Sequence, residues 1–181
     1  MIERRQRAFT IIELLVVMAV IIVLAGLILG TSSYVQKKGA RSRAEAEIAA
    51  MSAALESYKA DNGIYPRNSD TDGLNAQTTT NPQSYQTASL YLYTALMADP
   101  DADGGTDGKS YMQLKPNQLT RSDMSNPPSA GNKVTGVRDP FGNYYGYSTM
   151  QASTGSGGYN PTFDLWSTAG STVTNQWVKN W

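Results

Sequence analysis

Residues 9–30 form an almost unbroken apolar run whose polar members are Thr10 and Glu13, and no other stretch of the chain is as long or as apolar. A helix crosses the ~30 Å hydrocarbon core of a bilayer with about 20 apolar residues at ~1.5 Å of rise each. The run therefore has the length of a membrane span. It is too long for a secretory signal, whose apolar region runs about 7–15 residues and holds no acid. Glu13 is the exception to explain: a carboxylate in hydrocarbon costs several kcal/mol unless it is paired, which makes it a functional candidate. The competing reading is an acid near the helix end that reaches the interface. Arg4, Arg5 and Arg7 precede the run and Lys37, Lys38, Arg41 and Arg43 follow it, so charge does not orient it.

The chain has 181 residues, and beyond the span there is room for one modest domain. It has no cysteine and no histidine. Their absence removes disulfides, thiol redox chemistry, the commonest general base and the usual zinc donors. No pair of acids sits in a recognisable catalytic context, so an enzyme is not expected. Net charge is zero, but every glutamate lies at or before Glu56 and every aspartate at or after Asp61. Glutamate suits helix interiors and aspartate suits caps and turns, so the chain divides near residue 61 into a helical stalk and a turn-rich head. The head carries no basic run, which argues against a nucleic-acid partner.

Gly26 and Gly30 are four apart, which fits either a close helix-packing face or a flexible point in the helix. From residue 32 to 61 there is no proline, and Ile48, Met51, Leu55 and Tyr58 recur at helical spacing, predicting an amphipathic helix that continues the span. Unbroken to residue 61, that helix would be roughly 80 Å long. Asn62-Gly63 predicts its end, with Pro66 beyond. Residues 68–86 read as a polar loop, 88–97 as a short helix, 113–135 as loop and 152–158 as a flexible connector. Asp139-Pro-Phe-Gly reads as a turn. The aromatic runs after it, with Gln176-Trp-Val, read as a hairpin or three-stranded meander packed on the stalk.

Two acidic loops have the oxygen spacing of a calcium site. The first holds Asp99, Asp101, Asp103 and Asp107, although its twelfth position is Ser110 where a bidentate acid is expected. The second, Asn68-Ser-Asp-Thr-Asp-Gly73, matches less well, with Thr79 at that position. A solvated turn without metal is the alternative for both.

The basic leader, Ala8, then Phe9-Thr-Ile-Ile-Glu-Leu-Leu-Val-Val resembles the prepilin signal of type IV pilins and type II secretion pseudopilins. The resemblance implies that a prepilin peptidase cuts between Ala8 and Phe9 and methylates the new amine, with Ala8 standing where the family usually has glycine. It implies that Glu13 pairs with the N-terminal amine of a neighbouring subunit during assembly, and that Gly30 stands where the family often has a helix-kinking proline. Ala49-Ala-Met-Ser-Ala-Ala-Leu-Glu-Ser-Tyr-Lys-Ala-Asp-Asn-Gly-Ile-Tyr-Pro66, Asp139-Pro-Phe-Gly-Asn-Tyr-Tyr-Gly-Tyr147 and Phe163-Asp-Leu-Trp-Ser167 resemble elements of the major pseudopilin of type II secretion. That family binds calcium in the loop after the last element, yet here residues 168–176 hold no carboxylate.

The expectation is an α+β, type IV pilin-like chain: leader 1–8, membrane and assembly helix 9–30, amphipathic stalk 31–62, and head 63–181 with a short antiparallel sheet. The implied function is a pseudopilin held in the inner membrane with its head in the periplasm, polymerising with itself. The implied partners are prepilin peptidase, an inner-membrane assembly platform and minor pseudopilins. A true type IV pilus subunit and a membrane-anchored domain that does not polymerise are the alternatives.

Overall fold

The computed structural model describes residues 9–122 and 132–181, the side chains of 28–33 excepted. The leader with Ala8, and part of the 113–135 segment, lie outside the described residues. The chain divides into one unit ending at Gly39 and another spanning Ala40–Trp181. Helix α1, Ile11–Asn62, supplies the first unit and the opening of the second.

In the first unit the described apolar side chains of α1, from Ile11 to Leu27, are all exposed. A continuous apolar surface of this size requires a partner or a lipid environment. Among the described residues no helix is long and apolar enough to cross a membrane.

In the second unit α1 buries one face through Ala40, Ala44, Ile48, Met51, Ala54 and Leu55. The expected stripe is present at Ile48, Met51 and Leu55, with Tyr58 half-buried. Alanines extend it toward the N-terminus, where periodicity shows little because alanine is a weak apolar signal. The helix closes as Asn62-Gly63 predicts: Gly63 has φ +80° and its N–H donates to the Lys59 carbonyl at 2.8 Å. This is a left-handed cap that glycine adopts without a Cβ penalty.

Residues of α3 (Gln86–Met97) and of two small antiparallel sheets share one core with this face. Strands β1 (Leu119–Arg121) and β2 (Val134–Val137) pair with Leu119 opposite Val137. Strands β3 (Gly146–Ser148), β4 (Asp164–Ser167) and β5 (Val178–Lys179) form the expected meander, with Gly146 opposite Trp166 and Trp166 opposite Lys179. Leu92, Tyr93 and Leu96 of α3 join Met51, Leu55, Tyr145, Tyr147 and Leu165 in one core. The architecture is α+β, as expected.

Three loop readings need correction. Residues 68–86 contain α2 (Ser69–Gly73) and a 3-10 turn, Pro82–Tyr85. The helix forms because Asn68 accepts from the Asp70 and Thr71 N–H groups while the Asn68 N–H donates to Thr71, a reciprocal cap. Residues 113–135 contain β1 and the start of β2, whose three- and four-residue lengths are too short to leave a periodic signal. The connector at 152–158 begins inside α4 (Met150–Thr154).

Polar ties reinforce the stalk packing. Arg41 donates to the carbonyls of Gln176 and Trp177 at 2.5 and 3.3 Å, the Tyr145 hydroxyl donates to Glu47 at 2.7 Å, and Lys109 pairs with Asp61. Removing the fully buried Leu55 side chain (Leu55→Ala) is expected to cost about 2–5 kcal/mol. A Cβ at Gly146 would fall inside the Trp166 indole, so Gly146→Ala is expected to cost about 1–3 kcal/mol by overpacking. Exposed Ala50→Ser should stay within about 0.5 kcal/mol. Urea unfolding followed by tryptophan fluorescence ranks the three, and equal midpoints for all would refute the core assignment.

Candidate functional site

At the start of α1, Thr10 and Glu13 form a closed pair. The Glu13 carboxylate accepts the Thr10 N–H and the Thr10 hydroxyl, each at 2.8 Å, while the Glu13 N–H donates to the Thr10 hydroxyl oxygen at 3.3 Å. This is the reciprocal Thr-x-x-Glu capping box, which satisfies orphan donors of the first helical turn. Sequence reasoning singled out Glu13 and overlooked Thr10, although the three-residue spacing was the available signal. A carboxylate offers about four acceptor positions, so Glu13 keeps capacity for another donor. Phe9, just before the pair, is exposed.

Further along the same unit, Leu15, Val16, Ala19, Val20, Val23 and Leu24 line a shallow apolar trough. A Cβ built on Gly26 meets nothing within 4 Å, so the helix presents its backbone openly there. Gly30 falls within α1. This part of the molecule offers one acid on an otherwise apolar surface, an arrangement suited to packing and charge pairing.

The second candidate is the loop after α3. Ala98 ends that helix in the left-handed conformation, and Ala102 repeats it, folding the loop back so that the Asp107 N–H donates to the Ala98 carbonyl at 2.8 Å. The turn brings carboxylate oxygens of Asp99, Asp101 and Asp107 within 4.8 Å of one another. Bonds of about 2.3–2.6 Å from a central calcium would span that separation, so the trio fits a hard cation. Asp103 stands outside the trio and accepts the Gly105 N–H at 2.6 Å.

Asp99 also has an internal role that spacing did not reveal. It is fully buried and accepts the Tyr93 hydroxyl at 2.5 Å, the Gly104 N–H at 2.8 Å and the Asp103 N–H at 3.2 Å. Burial pushes its pKa up, but these donors outweigh burial and hold it below the ordinary value. Asp101 moves the other way, chiefly because it shares hydrogen bonding with Asp99. Burial and donation to Asp99 raise Tyr93. The weaker loop is occupied by helix capping instead: Asp72 pairs with Arg67 at 2.8 Å and accepts the Thr149 hydroxyl at 2.7 Å. In the C-terminal loop, residues 168–176 present no acid, and the nearby Asp139 is taken up by Phe141, Asn143 and Ser167.

Residues 4–29 match the model of the prokaryotic N-terminal methylation motif, and residues 33–126 match that of type II secretion system (T2SS), protein G. The type II secretion system core protein G of Pectobacterium carotovorum subsp. carotovorum is 34% identical over 145 residues, covering 77% of this chain and 85% of that protein. That of Aeromonas hydrophila is 29% identical over 143 residues, covering 78% and 94%. That of Vibrio cholerae serotype O1 is 34% identical over 82 residues, covering 44% and 55%. No solved structure matches the chain.

Asp99→Ala would leave the buried Tyr93 hydroxyl and two N–H groups without their acceptor, for an expected loss of about 1–3 kcal/mol near neutral pH. Because the folded-state pKa of Asp99 is lowered, its contribution is present above the unfolded value and is lost as pH falls through the folded one. The gap between wild type and Asp99→Ala should therefore shrink once pH drops below about 4. Urea titrations across that range test this, and a gap that widens toward acid would contradict it.

Proposed function

We propose a filament-subunit function for this chain, which belongs to the type II secretion system protein G family. It is a pseudopilin, and in the proposed pathway prepilin peptidase removes residues 1–8, methylates Phe9 and so creates the amine that Glu13 of a neighbouring copy receives. The apolar helix holds the unassembled subunit in the inner membrane as a single pass with its head in the periplasm. An assembly platform and minor pseudopilins then draw it into a homopolymeric pseudopilus that serves protein secretion. The observation that carries this reading is the exposed apolar surface of α1 with Glu13 as its acid, in a chain that matches the methylation motif over residues 4–29.

The energetics favour pairing over isolation. An ammonium about 4 Å from the Glu13 carboxylate gains roughly 4 kcal/mol at an effective dielectric of about 20. Removing one member of a buried pair costs about 3–5 kcal/mol, because the other charge stays behind unpaired. Thr10 holds the Glu13 carboxylate at the helix start, so the acceptor is oriented before a neighbour arrives.

Calcium is the proposed ligand of the Asp99, Asp101 and Asp107 trio. Asp99 would supply a fixed buried oxygen and the two exposed acids would close on the ion. The cation would supply charge neutralisation, relieving repulsion among three like charges and tying the loop to α3.

Mass spectrometry of the membrane-extracted protein should show loss of residues 1–8 and one added methyl, and an intact chain in cells with active prepilin peptidase would refute processing. Glu13→Ala should leave cleavage intact and abolish filaments seen by electron microscopy; normal filaments from that mutant would remove its assembly role. With free calcium about 100-fold above its dissociation constant, linkage predicts roughly 2.7 kcal/mol of stabilisation over chelator. Asp101→Asn with Asp107→Asn should erase that difference in thermal melts, and a calcium effect that survives the double substitution would place the ion elsewhere.

A further inference from the structure

Asn62-Gly63 is the one Asn-Gly dipeptide in the chain, and it stands where α1 ends. Asparagine before glycine is chemically labile, since no Cβ on the following residue hinders closure of a ring between the two. The glycine backbone nitrogen loses its proton to base and attacks the asparagine Cγ. A new C–N bond closes a five-membered succinimide while the bond from Cγ to the side-chain nitrogen breaks, and that nitrogen takes up a proton and leaves as ammonia. Water then opens the ring at either carbonyl, giving aspartate or isoaspartate. No oxidant or reductant takes part.

The fold engages both reacting groups. The Gly63 N–H, whose nitrogen is the nucleophile, donates to the Lys59 carbonyl at 2.8 Å. The Asn62 side-chain amide donates to the Tyr58 carbonyl at 2.9 Å and to the Tyr111 hydroxyl oxygen at 3.0 Å. Tyr111 is itself held, its N–H donating to the Leu96 carbonyl at 2.8 Å and its ring lying 5.2 Å from that of Tyr58. One residue before Asn62, Asp61 pairs with Lys109 of the same loop. Nothing lies within 4 Å of where a Cβ on Gly63 would be, and the restraint on the reacting groups is the set of hydrogen bonds that hold them.

We propose that Asn62 is a deamidation site gated by this clasp: with the 109–111 loop docked and the last helical turn closed the amide persists, and opening of the turn commits it to conversion. Conversion replaces a donor with a carboxylate facing the Tyr58 carbonyl, an acceptor, and sets a second negative charge beside Asp61. The isoaspartate product also adds a backbone carbon at the junction of stalk and head. Conversion is irreversible without repair chemistry, so it marks subunits whose stalk end has been open.

The test follows every asparagine by peptide mapping and mass spectrometry in the full chain, held in detergent micelles in mildly alkaline buffer, with a parallel sample in urea. In urea Asn62 should convert before every other asparagine. In the folded chain its rate should fall at least about tenfold, as expected for a reaction that waits on local opening. Tyr111→Phe keeps the ring and removes the acceptor, and should speed the folded reaction about fivefold, the factor of one net hydrogen bond, while leaving the urea rate unchanged. Lys109→Ala, an exposed change, should also raise the folded rate and serves if Tyr111→Phe fails to fold. Equal rates in folded and unfolded chains, or folded rates indifferent to both substitutions, would overturn the gate. Earlier conversion of another asparagine in urea would overturn the site.

Discussion

The second unit depends on one packing constraint, the burial of the α1 face from Ala40 to Leu55 against α3 and the meander. Met51 and Leu55 are fully buried at its centre, and each such side chain contributes about 1.5–3 kcal/mol relative to exposure. Two sheets of two- to four-residue strands have too little ladder to stand alone. They are ordered because Tyr145, Tyr147 and Leu165 share one buried core with residues of α1 and α3, and the Tyr145 hydroxyl reaches Glu47 on the helix. The close approach of Trp166 to glycine at position 146 lets β3 and β4 pair with an indole laid across the strand.

Buried aspartates perform the second organising task, holding turns that hydrophobic contact alone would leave loose. Asp139 accepts N–H groups of Phe141 and Asn143 together with the Ser167 hydroxyl, linking its turn to β4. Asp164 accepts the N–H groups of Tyr159 and Asn160 and shapes the approach to the same strand. Burial raises the pKa of both beyond what these donors offset, whereas at Asp99 the donors prevail. Asp139 and Asp164 thus favour the folded state more as pH falls toward their unfolded value, and Asp99 opposes that trend. A loop whose acid stays charged is also the one in which carboxylates converge on a cation-sized space.

The first unit follows an opposite logic, leaving its apolar residues uncovered and keeping one acid tethered to its own helix end. A surface of that kind is costly in water and tolerable in lipid or against other helices, where the cost of exposing it disappears. The capping box at Thr10 gives the acid a fixed place at the helix start. The same residue type and spacing therefore serve helix initiation and, in the proposed assembly, charge recognition.

How much was legible in the sequence follows from the range of each signal. The apolar run, the stripe at Ile48, Met51 and Leu55, the Asn62-Gly63 stop, the Asp139-Pro-Phe-Gly turn and the aromatic meander are local patterns, written in neighbouring residues. Helix periodicity, glycine caps and turn chemistry act within a few residues, so the sequence by itself determined those elements and the family they resemble. The pairing of β1 with β2, the burial of Thr71 beneath Thr149 and the seat of Tyr111 over Asn62 were decided by tertiary structure. Each depends on contacts between distant segments, such as Leu119 with Val137 or Asn62 with Tyr111, that no local spacing encodes. Asp99 shows a limit of another kind: its spacing suggested a ligand, whereas the turn after α3 lays its carboxylate against the Tyr93 hydroxyl six residues earlier and the fold buries both.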